Sequence, residues 1–229
     1  TQNVKYFSVT DANLLADQAR SILEDMPVAA FKVGMVGSIE NINVIHTILH
    51  DYHEIPVIID PIISAGGGKS LATEEMALAY SDLLFPLTNL VTPNSNEVRL
   101  LAPEADSLDS CAQELMDDGC EYVLLTGTHE ASDDVINTFY GHHKKIEASC
   151  WQRLPHSYHG SGCTLTSAIA GLIACGHSIP DAVIIAQEYS WQALLHGYQS
   201  GMGQLHPDRL FWTKSWTKSY TTSQIKRKN

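Results

Sequence analysis

Residues 159–175 read HGSGCTLTSAIAGLIAC, in which a turn of small residues runs directly into an apolar helical segment. Small residues at a helix start leave backbone N–H groups uncovered at the positive end of the helix dipole, an arrangement that binds phosphate well. Cys163 stands at the mouth of this turn, where a thiol is a candidate for a lowered pKa and a chemical role. The alternative is a glycine-bearing turn before an ordinary amphipathic helix with a buried cysteine. This segment alone does not decide between the two, because short glycine motifs also arise by chance.

Helix and strand signals alternate along the rest of the chain. Apolar spacing predicts helices over residues 11–25, 39–51, 73–84, 94–101, 108–118, 162–175 and 180–199. Short apolar runs predict strands over residues 29–33, 56–60, 89–92 and 122–126, and a hairpin over residues 135–140 and 144–148. Near-continuous apolar strands that alternate with helices are typical of a parallel sheet covered on both faces. The sequence therefore predicts an α/β fold with a mostly parallel central sheet.

The bulk composition is that of a globular protein with an acidic balance. The 229 residues suffice for one large domain, and the chain is 44% hydrophobic and 17% charged. The net charge is −12, although the segment 213–229 carries five basic residues and no acidic one. Nucleic-acid binding depends on basic patches, so this balance predicts no nucleic-acid partner. Phosphate ligands stay compatible with it, because backbone amides, a few cations and Mg²⁺ can hold them.

The cysteines and the apolar runs of the sequence indicate the cellular compartment in which the protein is expected. The five cysteines are irregularly spaced and form no CxxC pair, so the sequence predicts neither a zinc site nor a disulfide framework. No apolar run is long enough to span a membrane, and no signal peptide is visible. We therefore expect a protein of the reducing cytoplasm that has no membrane partner.

Polar residues follow the predicted strands at the point where each one ends. In parallel sheets, ligands bind beyond the carboxyl ends of the strands. The sequences at these ends are KVGM at residues 32–35, DP at 60–61, TPN at 92–94 and TG at 126–127. We expect one crevice to collect an acid, an amide, glycines and the thiol-bearing helix start.

Two acidic residues in this set are candidate metal ligands. Asp60 closes a buried strand before the glycine loop at residues 65–68; its carboxylate could hold Mg²⁺, and the loop could fold over a substrate. The alternative is an Asp that caps the loop. Glu97 stands three residues after Asn94, which is the spacing of a helix capping box. Placement near metal-bound phosphates is the second interpretation of Glu97, and both can hold together.

The glycine turn is the candidate centre for group transfer. Backbone N–H groups of Gly160, Ser161 and Gly162 would meet the charge that develops on a transferring phosphoryl group. Cys163 would then deprotonate or orient an attacking hydroxyl. His159 could tune it, or could be an ordinary solvated loop histidine.

These features resemble the ribokinase-like superfamily, and more closely the hydroxymethylpyrimidine/phosphomethylpyrimidine kinases of thiamine biosynthesis. The resemblance covers most of residues 1–212, and its sharpest mark is Cys163, because most sugar and nucleoside kinases of the superfamily have Asp there. Its other marks are QN at residues 2–3, KVGM at 32–35, DP at 60–61 with the glycine loop, TPN at 92–94 with Glu97, the strand 123–127, and HGSGCTL at 159–165.

The resemblance implies a three-layer αβα sandwich with one kinase domain over residues 1–212, followed by a basic polar tail at residues 213–229. It implies ATP-dependent phosphorylation of 4-amino-5-hydroxymethyl-2-methylpyrimidine, and of its monophosphate to the diphosphate, with Mg²⁺ as cofactor. It also implies a homodimer.

The resemblance further assigns residues to the two substrates. For the pyrimidine, Gln2 would hydrogen-bond the amino edge, Met35 and Ile62 would pack in the pocket, and Cys163 would face the hydroxymethyl group. The anion hole would consist of Gly160, Ser161 and Gly162. The nucleotide would lie along Asn94, Thr126, Gly127 and Ser161, and its Mg²⁺ would be held by Asp60 and Glu97.

The sequence differs from the family pattern in three places. The family begins with a strand and a glycine-rich turn carrying an Asp, and the sequence given starts after them. We expect a further N-terminal piece, because loss of a central strand would leave two unpaired edges. Thr126 and Gly66 stand where lysines are usual, so we expect weaker nucleotide binding or a larger role for Mg²⁺. Two alternatives stay open: a vitamin B6 kinase, and a non-catalytic pyrimidine-binding relative.

Overall fold

The structure is a computed structural model that describes residues 7–62, 64–65, 69–70 and 74–213. The helices in this part of the chain are α1 (Ala12–Asp25), α2 (Ile39–Asp51), α3 (Glu74–Ala79), α4 (Ser95–Leu101), α5 (Leu108–Asp117), α6 (Ser161–Ala174) and α7 (Ile179–Leu195). The strands are β1 (Phe31–Val33), β2 (Val57–Ile59), β3 (Ser64–Ala65), β4 (Lys69–Ser70), β5 (Leu90–Val91), β6 (Tyr122–Leu125), β7 (Asp134–Gly141) and β8 (Lys144–Gln152).

Six of these strands form the central sheet, in the order β1-β2-β5-β6-β7-β8. The first four run parallel, and β7 and β8 join as an antiparallel hairpin at one edge. The two-residue turn of that hairpin has positive φ at His142 and His143, as tight hairpins require. The predicted α/β fold with a mostly parallel sheet is confirmed.

Helices cover both faces of the sheet, because successive side chains of a buried strand point to opposite sides. In β2, Ile58 packs with α6 and α7, whereas Ile59 packs in the cluster that includes α2, α4 and α5. Leu90 and Val91 divide between the same two clusters in β5. The result is the expected three-layer sandwich.

The described part of the sheet is continuous, and β1 forms the edge opposite the hairpin. β1 pairs with β2 along its whole length, from Phe31 opposite Val57 to Val33 opposite Ile59. Consecutive strand–helix units pack side by side here, so no gap separates these strands.

Two predicted helices end earlier than expected. The helix predicted over 73–84 is α3, which continues as a π-helical turn at Tyr80–Leu84 and a 3-10 turn at Phe85–Leu87. Pro86 lacks an N–H group, so the π-helical hydrogen-bond pattern, whose last donor is Phe85, cannot continue through it. α7 ends at Leu195 rather than at residue 199, and the chain then turns at Gly197.

Two of the predicted segments lie wholly or mostly outside the described residues. Glycines 66–68 and the tail from residue 214 onward lie outside the described residues, whereas Thr213 closes a 3-10 turn. Among the helices that the structure describes, none combines the length and the apolar character needed to cross a membrane.

Candidate active site

A cleft of about 640 Å³ opens at the carboxyl ends of β2, β5 and β6. It brings together most of the residues singled out from the sequence, which were Asp60, Ile62, Asn94, Glu97, Thr126, Gly160, Ser161, Gly162 and Cys163. These residues come from four separate chain segments. The arrangement follows from the parallel topology, which directs the strand ends to one edge of the sheet.

The start of α6 presents free N–H groups to this cleft. Gly160 is the N-cap with φ of 88°, a left-handed conformation that favours glycine. The first N–H group bonded within the helix is that of Thr164, which donates to the Gly160 carbonyl at 3.0 Å. No hydrogen bond within the described part of the chain uses the N–H groups of Ser161, Gly162 and Cys163. The helix start is therefore open to an anionic ligand.

The thiol of Cys163 does not have the lowered pKa that the sequence suggested. Burial raises its pKa above the usual value, and the Asp60 carboxylate raises it further through its charge and a hydrogen bond. Lys32 and Arg209 act in the opposite direction but do not prevail. The prediction was wrong because the tertiary neighbours of the thiol outweigh the helix start. The thiol is protonated at neutral pH and can orient a hydroxyl group.

Two buried carboxylates face the helix start. Asp60 is 5% exposed and Glu97 is 6% exposed. Glu97 completes a capping box at α4: its Oε2 accepts from the Asn94 N–H at 2.9 Å, and the Asn94 side chain accepts from the N–H groups of Asn96 and Glu97. Glu97 also lines the cleft, so the capping role and a role toward a ligand coexist.

The donor set fits Mg²⁺ bound together with a phosphate ligand. Within the described ranges, no group of three or more His, Cys, Asp or Glu side chains could form a metal centre by itself. Mg²⁺ is commonly held by one or two carboxylates and completes its shell with water and substrate phosphates. Asp60 and Glu97 provide such a pair, and the charge of Asp60 adds to burial in raising the pKa of Glu97 to about 7.

We expect Glu97→Gln to stabilise the free protein at neutral and alkaline pH. Because the pKa of Glu97 is raised from 4.5 to about 7 in the folded state, the folded state binds the extra proton between these values. The free energy of unfolding therefore falls as the pH rises from 4.5 to about 7, and the whole of this loss is present above pH 7. Glutamine is never charged and still accepts the capping hydrogen bond.

Urea unfolding without divalent cations measures this effect. The stability gain of Glu97→Gln should be small at about pH 4.5 and reach about 3 kcal/mol at about pH 8. Glu75→Gln, at an exposed position in α3, is the matched control and should change little at either pH. An equal gain at both pH values would contradict the assignment.

Two of the predicted site residues do not line the cleft, and the position of a third is not described. Gln2 lies outside the described residues. Met35 follows β1, is 51% exposed and does not line the cleft. Gly127 does not line it either: its N–H donates to Asn137 Oδ1 at 3.2 Å, and an added Cβ would lie 2.1 Å from the carbonyl oxygen of Ile136. Close packing against β7 therefore explains this glycine.

The far end of the cleft is a polar and aromatic wall that the sequence analysis missed. Trp151 and Trp191 lie with ring centroids 6.2 Å apart. Gln187 Oε1 accepts from Asn137 Nδ2 at 3.0 Å and from Trp151 Nε1 at 3.1 Å. Ser190 Oγ is buried and finds no partner among the described residues. The sequence did contain a signal for this wall. Gln187 and Ser190 are polar residues on the otherwise apolar, buried face of α7.

Cations near the site were missed as well. Lys32 Nζ lies 3.4 Å from Asp60 Oδ2. Arg209 Nε donates to Thr164 Oγ1 at 3.0 Å, in the first turn of α6. Arg153 lines the cleft, but its guanidinium donates to backbone carbonyls of residues 128–134. Lys32 belongs to the KVGM segment noted above, whereas Arg209 lies in an irregular segment with no recognisable pattern.

Comparison with known proteins agrees with this geometry. The sequence model of the phosphomethylpyrimidine kinase family matches residues 1–208. The hydroxymethylpyrimidine/phosphomethylpyrimidine kinase of Synechococcus elongatus is 35% identical over 199 residues, which cover 83% of this chain and 74% of the relative. The thiamine biosynthesis bifunctional protein ThiED of Geobacter sulfurreducens is 32% identical over 82% of this chain. The chain spans only 36 to 39% of the length of that protein and of two similar relatives.

Solved structures share the same architecture. The pyridoxal kinase of Bacillus subtilis superposes with a TM-score of 0.79 over 87% of this chain and 77% of its own, and its 23% identity shows the fold alone. The phosphomethylpyrimidine kinase of Clostridium difficile has a TM-score of 0.67 and 26% identity over 81% of this chain and 77% of its own. With a ribokinase-like fold and a family match over nearly its whole described length, the chain belongs to the phosphomethylpyrimidine kinase family.

Proposed function

We propose that the chain transfers a phosphoryl group from ATP to 4-amino-5-hydroxymethyl-2-methylpyrimidine and to its monophosphate, as part of thiamine biosynthesis. The observation that carries this proposal is the meeting of free N–H groups at the start of α6 with two buried carboxylates in one cleft. Such groups stabilise the negative charge that is shared among the oxygens of a transferring phosphoryl group.

Asp60 and Glu97 are the residues that would hold Mg²⁺. When it is bound, Mg²⁺ neutralises charge on the nucleotide phosphates. The lysines that are usual at positions 126 and 66 are absent from this sequence, which makes this neutralisation more important. An added Cβ on Gly162 would lie 3.9 Å from Asp60 Oδ1, so the carboxylate and the N–H groups face the same small volume.

The far wall of the cleft suits the base of the nucleotide. Trp151 and Trp191 offer apolar ring surface against which a base can stack. Asn94 and Thr126 line the same cleft and would flank the phosphates. The pyridoxal kinase of Staphylococcus aureus, which shares the fold, has been solved with AMP-PCP, an ATP analogue.

The acceptor would approach Cys163 from the opposite side. In transfer to the alcohol, the hydroxymethyl oxygen forms a bond to the γ-phosphorus, the bond from that phosphorus to the bridging oxygen of ADP breaks, and the hydroxyl proton passes to solvent. The protonated thiol of Cys163 would orient this hydroxyl group. Gln2, Met35 and Ile62 stay proposed contacts of the pyrimidine ring.

Parallel measurements of ADP release test the proposal. With saturating ATP and Mg²⁺, we expect kcat/KM for the hydroxymethylpyrimidine to exceed that for pyridoxal, and chelation of Mg²⁺ with EDTA to abolish both reactions. Equal or greater efficiency with pyridoxal would assign the chain to vitamin B6 instead. Calorimetric binding of the pyrimidine with no ADP formed would indicate a non-catalytic binding protein.

The remaining proposals concern the whole protein. We propose one kinase domain over residues 1–212 with a basic tail after it, acting as a homodimer in the cytoplasm. The continuous sheet supports one domain, and the five free cysteines suit a reducing compartment. Exposed apolar side chains on α1 support self-association; they are Leu14 and Ile22. Light scattering coupled to gel filtration measures the oligomeric state.

A further inference from the structure

Two cations lie near Cys163 but outside the cleft that leads to the nucleotide wall. Both Lys32 and Arg209 act electrostatically on the thiol, yet neither side chain lines the cleft that leads to Trp151 and Trp191. Lys32 stands on β1, at the sheet edge opposite β7 and β8, which contribute to that wall. Lys32 therefore lies on the acceptor side of the transfer point, and the guanidinium of Arg209 adjoins that point at the start of α6.

Arg209 is held in place at the start of α6. Its Nε donates to Thr164 Oγ1 at 3.0 Å, and that hydroxyl in turn donates to the Gly160 carbonyl at 2.7 Å. The backbone carbonyl of Arg209 accepts from the Tyr189 hydroxyl at 3.1 Å. Nη2 lies 3.1 Å from where a Cβ of Gly160 would be, so the absence of a side chain at position 160 makes room for the guanidinium. Its terminal nitrogens thus lie beside the free N–H groups.

The two acceptors of the proposed reaction make different demands on the protein. An alcohol must lose a proton when its oxygen bonds to the γ-phosphorus. A monophosphate attacks with an oxygen that is already ionised, so no proton has to be removed as the new phosphoanhydride forms and ADP leaves. The difficulty is then electrostatic, because a second anion must approach both the γ-phosphate and the Asp60 carboxylate.

We infer that Lys32 and Arg209 bind the phosphate of a monophosphate acceptor and so determine that the chain can add the second phosphate. This inference rests on the proposed kinase function and names the residues that extend it from alcohols to phosphorylated acceptors. Arg209 is the stronger determinant, because a guanidinium can donate two parallel hydrogen bonds to a phosphate. Lys32 also forms an ion pair with Asp60, and its ammonium group acts as a point charge rather than as a fork of two donors.

Steady-state kinetics of Arg209→Gln with both acceptors tests the inference. We expect the ratio of kcat/KM for the phosphomethylpyrimidine to that for the hydroxymethylpyrimidine to fall about 10- to 100-fold, as for loss of a charged hydrogen bond. Arg209→Lys should restore part of this ratio. Arg20→Gln is the matched control, because Arg20 is an exposed arginine on α1 that pairs with Asp51 and should leave the ratio unchanged.

A binding measurement keeps the test independent of turnover. In calorimetry without nucleotide, Arg209→Gln should weaken binding of the phosphomethylpyrimidine more than that of the hydroxymethylpyrimidine. Equal losses for both acceptors would overturn the inference and place Arg209 on the donor side. A wild-type chain that phosphorylates the alcohol but not the monophosphate would overturn it too. A wild-type chain that phosphorylates neither would instead refute the proposed function.

Discussion

Cys163→Ala is expected to lower turnover with the alcohol acceptor by about 100-fold, the loss expected when the reacting hydroxyl group is no longer held in position. The thiol lies at the start of α6 and shares a hydrogen bond with Asp60, so it is the side chain best placed to orient the hydroxyl. Loss of a half-buried thiol should cost only about 1 kcal/mol of stability. Turnover and unfolding should therefore respond very differently to this one change.

The control for this variant is Cys175→Ala, at the exposed C-terminal end of the same helix, which should leave turnover unchanged. The monophosphate acceptor should lose less activity than the alcohol, because it needs no proton removed. Because its raised pKa keeps the thiol of Cys163 protonated, ionisation of the thiol should produce no inflection in the turnover of the alcohol between about pH 6 and about pH 8. Near wild-type turnover in Cys163→Ala would refute the assigned role.

Gly162→Ala is the second large effect, and it should separate stability from activity. Alanine is the better helix former, by up to about 1 kcal/mol in a helix interior and less in a first turn. Its methyl group would point toward Asp60 Oδ1, 3.9 Å away, into the volume where the phosphoryl oxygens must fit. We expect turnover to fall about 100-fold or more, comparable to the loss of an oxyanion donor.

Gly171→Ala provides the matched comparison, because Gly171 lies in the same helix and an added Cβ there meets nothing within 4 Å. This variant should unfold at a higher temperature and keep wild-type turnover. If Gly162→Ala also kept wild-type turnover, the phosphoryl group could not lie at the start of α6.

What the sequence could reveal was mostly local. Apolar spacing located the helices, and the Asn94 to Glu97 spacing identified a capping box, because both depend on neighbours within one or two turns. The meeting of strand ends followed from parallel topology alone. These local rules were enough to assemble Asp60, Glu97 and the start of α6 in one place.

What escaped the sequence depends on distant packing. The pKa of Cys163 is raised by burial and by the carboxylate of Asp60, which follows the distant strand β2 and which no local motif encodes. Arg209 reaches Thr164 across 45 residues of chain. Gly127 resembled a ligand contact in the sequence, but the adjacent strand β7 accounts for it. Each case involves a neighbour that only the folded chain identifies.

The double engagement of Glu97 limits how this position can change. One carboxylate oxygen secures the first turn of α4, and the side chain also lines the cleft as a candidate cation ligand. Aspartate would keep the charge but fall short of the Asn94 amide, whereas glutamine would keep the reach but lose the charge. Neither close substitute meets both requirements. A substitution at Glu97 therefore changes the start of α4 and the binding of a divalent ion at the same time.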